Sequence, residues 1–355
     1  MTVTRMVAFG GGHGLSAALR ALRRCAPELD LDITAVVTVG DDGGSSGRLR
    51  AERGGLPPGD LRQALVALAG DHPSTRRSAG LFQHRFVEVS ATGAVTSGVT
   101  GAGSSAPTGR SGCGGTVSAD GGAPQRDGLG GHAVGNLVLC GLMELLGDPV
   151  AALDHAGAML GAVGRVLPMS CRPVGIEARV RGADPARPGQ VDTVTGQHQV
   201  AVTTGRVESL RLNPDAPEAC PQALAAIEAA DWLLFGPGSW YTSVLPHLLV
   251  PELAAAIVAS PARRLVTLNL AAEKETSGLS VADHLAELRW YLPELKVDVV
   301  LGDAKAVGDP EPVERAAESL GARLVLAPVA VTDGTPRHDP TALGAALVPV
   351  LGAAR

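Results

Sequence analysis

Apolar side chains fall into two alternating rhythms along this chain. Thr2 to Phe9 is a short, nearly uniform apolar run, Leu15 to Arg24 sets Leu15, Ala18, Leu19 and Leu22 at helical spacing, and Ile33 to Val39 is again apolar on successive positions. Runs buried on both faces belong in a parallel sheet covered by helices. Similar runs recur at Trp232 to Phe235, Leu265 to Leu270, Val297 to Leu301 and Arg323 to Ala327. Between them the pattern predicts helices near Pro58 to Ala69, Ala133 to Leu146, Val150 to Val163, Pro221 to Ala230, Val244 to Ala259, Val281 to Tyr291 and Thr341 to Leu351. Val174 to Leu212 differs, because Val191, Val194, His198, Val200 and Val202 stand in near alternation, which predicts antiparallel hairpins. The expected fold is α/β and Rossmann-like: a mostly parallel sheet flanked by helices, with an embedded antiparallel β subregion.

Composition narrows the functional classes. A length of 355 residues suggests about two domains at ~150 residues each, but α/β folds run longer as one unit, and a single domain over 1–355 is expected. Ser90 to Gly130 is almost wholly Gly, Ser, Thr, Ala and Val and reads as a low-complexity, disordered insertion at 90–130. Thirty Lys and Arg against 36 Asp and Glu give a net charge of -6, so no global cationic field favours a nucleic acid partner. No apolar run reaches the ~18 residues of a membrane span, and a soluble, cytoplasmic protein is expected. Cys25, Cys113, Cys140, Cys171 and Cys220 are scattered, odd in number and without a CxxC pair, against both a disulfide framework and a zinc cluster.

Ligands of open parallel sheets bind beyond the carboxyl ends of the strands, and four loops there carry unusual chemistry. Gly10 to Leu15 follows the first strand and opens a helix, so Gly11, Gly12, His13 and Gly14 offer free amides and a helix dipole to a phosphate; a tight turn without ligand accounts for them too. Asp41, Asp42, Gly43, Gly44 and Ser45, with Arg48 and Arg50 behind them, suit a sugar hydroxyl or a cation through the acids and a phosphate through amides and guanidinium groups. Pro57 and Pro58 then start a helix carrying Asp60 and Arg62, either ligand groups or a local salt bridge. His132 and Asn136, four apart, are expected to share a helix face. In the last loop Gly236, Gly238, Ser239 and Thr242 can hold a phosphate and Tyr241 or Trp240 can stack on a base, although core packing suits Trp240 equally. Arg337, near the C-terminus, is a further candidate.

In order, these loops resemble the YvcK/CofD-like family, and within it the YvcK branch, over most of the chain outside 90–130. That resemblance implies a cytoplasmic gluconeogenesis factor that binds a UDP-sugar such as UDP-N-acetylglucosamine and is needed for normal cell shape and wall synthesis on gluconeogenic carbon; the expected reading is a regulator that reports to a protein partner, with a homo-oligomer open to it. The CofD branch implies instead a 2-phospho-lactate transferase with magnesium on a nucleotide diphosphate. No nucleophile elbow, metal triad or Cys–His pairing is legible, which favours a regulator over an enzyme. Two positions depart from the family: His13 stands where Thr is usual, and Leu279 where an aromatic is usual.

Overall fold

The computed structural model describes residues 3–88 and 127–353. Its ten strands are β1 (Thr4–Gly10), β2 (Leu31–Val37), β3 (Arg165–Pro168), β4 (Gly175–Arg181), β5 (Val191–Thr195), β6 (Arg206–Asn213), β7 (Trp232–Phe235), β8 (Arg263–Thr267), β9 (Val299–Asp303) and β10 (Arg323–Ala327). Seven form one parallel sheet in the order β10-β9-β8-β7-β1-β2-β3, and β5-β4-β6 form a separate antiparallel sheet. The chain steps outward from β1 through β2 to β3, then returns to the other side of β1 at β7. The loops after β1 and β7 therefore diverge from neighbouring strands, which is the switch point where such sheets open a crevice.

The central strands are buried throughout. Met6 to Phe9 and all of β7 lie in the core, and Phe9 pairs in register with Phe235, their rings stacked at 4.9 Å with planes 7° apart. His247 meets Phe9 edge-on at 5.4 Å, and its Nε2 lies 3.0 Å from Val36 O. Burial pushes its imidazole down to about 4, so it is a neutral core residue. On one face the Gly12–Leu29 helix buries Leu15, Ala18, Leu19, Leu22 and Cys25, and Cys25 Sγ donates to Gly344 O of the Pro340–Gly352 helix at 3.3 Å. Among the described residues no helix is long and apolar enough to cross a membrane.

Several expectations need correction. His198, Val200 and Val202 lie on a short helix, Gln197–Val202, and not on a strand. Gly196 at φ 101° ends β5, and the helix buries Gln197 and Val200 while Val202 stays exposed. The helix expected over Val150 to Val163 is Pro149–Met159; Gly161, at φ 54°, turns the chain into β3, a strand too short to read from its pattern. Pro246 and Pro251 divide the segment expected as one helix from Val244, and a π-turn at Trp240–Val244 precedes it. The glycine-rich Gly44–Arg53 segment and Pro73–Gln83 are helices that the apolar pattern does not signal. The insertion expected at 90–130 lies outside the described residues up to 126.

Phe235→Ala removes the ring stacked beneath the crevice and is expected to cost about 3–5 kcal/mol. Urea unfolding checks this; a midpoint equal to that of the parent protein would contradict it.

Candidate functional site

The crevice is built by backbones brought unusually close. A Cβ on Gly14 would collide with Pro237 O and Gly238 Cα, and one on Gly11 would stand 2.5 Å from both Asp60 Oδ2 and Thr38 Oγ1. Gly11 and Gly14 thus serve loop packing first, and this packing aims the opening turn of the Gly12–Leu29 helix at the crevice. Gly12 (φ 55°) makes the bend. The amides of that first turn have no partner within the helix. Opposite, Asn269, just past β8, clamps one peptide of the last loop: Gly238 N donates to Asn269 Oδ1 and Asn269 Nδ2 donates to Gly238 O, each at 2.9 Å.

Acids and arginines line the floor in separate groups. Asp60, in the first turn of the Pro58–Leu68 helix behind Pro58 at its first position, is buried and accepts from Thr38 Oγ1 at 3.2 Å. Burial, then the nearby Asp41 carboxylate, push Asp60 up to about 7 against the lowering pull of Thr38, the Gly12 N–H and Arg62. Arg62 is buried, donates from Nε to Asn136 Oδ1 at 2.8 Å and from Nη1 to Gln83 Oε1, and is held below its ordinary range by burial and then by Arg85. Arg85 and Arg48 donate to the backbone carbonyls of Gly131 and Gly130 at 2.5 and 2.7 Å. These guanidinium groups therefore spend hydrogen bonds on neutral oxygens and keep their charge for a ligand.

A family model for 2-phospho-L-lactate transferase CofD matches residues 6–325, a span that takes in every one of these loops. The chain belongs to the CofD family. Among its relatives, a Mycobacterium tuberculosis protein that carries a gluconeogenesis-factor name is 46% identical over 346 residues, 96% of this chain and 89% of that protein. The gluconeogenesis factor of Bacillus subtilis is 31% identical over 90% of this chain and 84% of its own length. A crystal structure of a UPF0052 family member from Bacillus halodurans matches with a TM-score of 0.76 at 30% identity, covering 98% of this chain and 100% of that one.

The CofD-family cleft gathers many of the sequence candidates and sets others aside. Gly11, Gly12, His13, Gly14, Gly238, Ser239 and Arg337 line one side, and Asp41 to Ser45 with Asn136 the other, with Arg62 lining both. Asp60 lines neither side and lies buried behind the first loop, against Thr38 and the Gly12 N–H. Arg337 is exposed and held by Asp333 (2.9 Å), not by the core of the cleft. Ser239 Oγ donates to Glu273 Oε2. His132 and Asn136 share no helix face, because the helix starts at Val134; they converge on Ser45 Oγ, which lies 2.9 Å from His132 Nδ1 and accepts from Asn136 Nδ2 at 2.9 Å. Asp60 and Arg62 do not form the local salt bridge that their spacing allows, since Arg62 turns to Asn136 and Gln83.

Three candidates face away from the cleft. Tyr241 is buried, its hydroxyl meets Glu287, and its backbone N–H donates to Glu275 Oε1 at 2.9 Å, so no base stacks on it. Thr242 is buried beside it and its carbonyl accepts from Gln197. Gly236 (φ 72°) packs against Thr267 O behind the lining. Trp240 is likewise core, edge-on to His284 at 5.3 Å. Asp42 stays exposed, but Oδ1 accepts from His198 N at 2.8 Å and so ties this loop to the antiparallel layer. Sequence reasoning missed Arg85, Gln83 and Asn269; only Asn269, a polar residue inside the apolar run Leu265 to Leu270, carries a readable signal.

Asp60 has a folded-state value above that of the unfolded chain (~3.9), so its contribution to stability is fullest at low pH and is lost as pH rises through about 7. Glu275, pushed up to about 7 by burial and then by Glu273, acts in the same direction. Asp60→Asn is expected to leave stability near pH 4 almost unchanged and to raise it at pH 8 by roughly 1–3 kcal/mol relative to the parent. Thermal unfolding from pH 4 to 8 checks this; parallel curves for the two proteins would contradict it.

Proposed function

We propose that this CofD-family chain is a UDP-sugar-binding regulator that supports cell morphogenesis and wall synthesis during gluconeogenic growth, acting from the cytoplasm through a protein partner. The observation that carries the reading is the facing pair of glycine loops at the switch point, with the first-turn amides of the Gly12–Leu29 helix on one side and the buried Arg62 guanidinium across from them. Amides at a helix N-terminus and a fixed guanidinium are complementary to a diphosphate. The gluconeogenesis-factor names of relatives that align with most of the chain supply the biological setting.

The diphosphate would lie on the amides of His13 and Gly14, with Arg62 and Ser239 at its flanks, since the Gly12 N–H already meets Asp60. Magnesium fits the same place: Asp60, whose carboxyl is driven toward protonation by burial and by the charge of Asp41, would regain its ionised form beside a cation and is the residue that would hold it at the diphosphate. Asp42, committed to His198 N, is less suited to that role.

Calorimetric titration with UDP-N-acetylglucosamine, UDP-glucose, GDP and NAD, with and without magnesium, tests the reading. UDP-sugars are expected to bind most tightly and to remain unconverted, and Arg62→Gln is expected to weaken them at least about tenfold, the loss of a charged hydrogen bond. Preference for GDP, with magnesium required, would overturn the regulator in favour of a CofD-type transferase.

A further inference from the structure

The cleft holds two compartments. One, of about 870 Å³, lies over the loops after β1, β7 and β8; the other, of about 930 Å³, lies over the Asp41–Arg48 segment. Arg62, Gln63 and Arg85 line both and stand between them. Either volume suffices for a small-molecule ligand.

The second compartment opens onto the first turn of the ten-residue Gly44–Arg53 helix, whose amides point outward without an intrahelical partner. Its two serines are used differently. Ser45 Oγ is committed to His132 and Asn136. Ser46, only 3% exposed, lines the cavity and its hydroxyl has no hydrogen-bond partner among the described residues. With no partner among those residues, that hydroxyl is open to whatever occupies the cavity. Gly59 leaves it room: a Cβ there would collide with Ser46 Oγ and stand 2.6 Å from Asp41 Oδ2. The glycine therefore keeps a hydroxyl and a carboxylate side by side at the cavity floor.

The remaining lining selects the ligand class. Arg48 and Arg85 supply positive charge over the helix N-terminus, and Asp41, Asp42 and Glu88 supply acceptors around it. Three carboxylates disfavour a polyanion, whereas a neutral sugar would leave the amides and guanidinium groups unmatched. A flat aromatic ligand finds no ring to stack on among the described lining residues. A molecule with one phosphate and several hydroxyls matches all of these groups.

We propose that this second compartment binds a sugar monophosphate, with its phosphate on the Ser46 hydroxyl and the Gly44–Arg53 amides and its hydroxyls on Asp41 and Glu88, while the first compartment remains free for the nucleotide. This goes beyond the nucleotide reading, since it concerns a different compartment. Arg62 and Arg85, shared by both, give the two ligands a common wall.

Calorimetry on the full chain tests it with glucose 6-phosphate, glucose and inorganic phosphate, each with and without saturating UDP-N-acetylglucosamine. Glucose 6-phosphate is expected to bind once per chain in both conditions, at least about tenfold more tightly than glucose or phosphate. Ser46→Ala, which removes only a hydroxyl, is expected to weaken it about fivefold or more, and Gly59→Ala to abolish it, with thermal unfolding reporting whether each variant is folded. Displacement of glucose 6-phosphate by the UDP-sugar would overturn the proposal, because one ligand would then span both compartments. Equal affinity for inorganic phosphate, no binding at all, or an unchanged Ser46→Ala would overturn it too. If glucose 6-phosphate binds and the UDP-sugar does not, the nucleotide reading fails and this one stands; the converse result removes this one alone.

Discussion

The close approach of Gly14 to Pro237 and Gly238 is the constraint on which the rest of the cleft depends. Two loops leaving adjacent strands in opposite directions would ordinarily splay apart, and here their backbones touch because neither side chain nor Cβ intervenes. Beneath them the Phe9–Phe235 stack holds β1 and β7 in register, and above them Asn269 fixes the Gly238 peptide through both its N–H and its C=O. Thr38 completes the floor, donating its backbone N–H to Gly10 O at 3.0 Å and its hydroxyl to Asp60. The helix N-terminus is thereby aimed at a cavity of fixed shape.

Charge in the cleft is left unbalanced in both signs. Arg48, Arg62 and Arg85 spend their hydrogen bonds on carbonyl and amide oxygens, while Asp41 sits near enough to Asp60 to raise the cost of ionising it. A folded protein without function would gain from pairing these groups with each other. Keeping them apart costs stability and creates complementarity to a ligand that carries phosphate and hydroxyl or metal together. Burial, reinforced by Asp41 beside Asp60 and by Glu273 beside Glu275, places both carboxyls close to their titration points near neutral pH.

The strand-end rule made the β1, β2 and β7 loops legible, because a glycine cluster after a uniformly apolar run marks a backbone that must turn sharply or be approached closely. The order of loops carried the family as well. Local spacing did not reveal what each side chain meets across the fold. Tyr241 looks like a stacking residue until Glu275 and Glu287, far along the chain, draw its backbone and ring inward. Asp42 looks like its neighbour Asp41 until His198 arrives from the antiparallel layer. The alternation of Val200 and Val202 mimics a strand because a two-residue period cannot register the turn that Gly196 introduces. Gly44–Arg53 hides as a helix for a related reason: glycine and serine have weak helix propensity, and its burial falls on Ser45, Ser46 and Leu49 rather than on an apolar stripe.

The central claim is that the paired loops at the switch point receive the phosphates of a nucleotide. Amide hydrogen exchange on the chain with and without UDP-N-acetylglucosamine tests it most directly, because it reads the backbone donors themselves. The account predicts slowed exchange at the opening turn of the Gly12–Leu29 helix and around Ser239, with the distant β10 edge unchanged. Saturation by the nucleotide with no change at those amides, or with protection confined to residues outside the cleft, would contradict it.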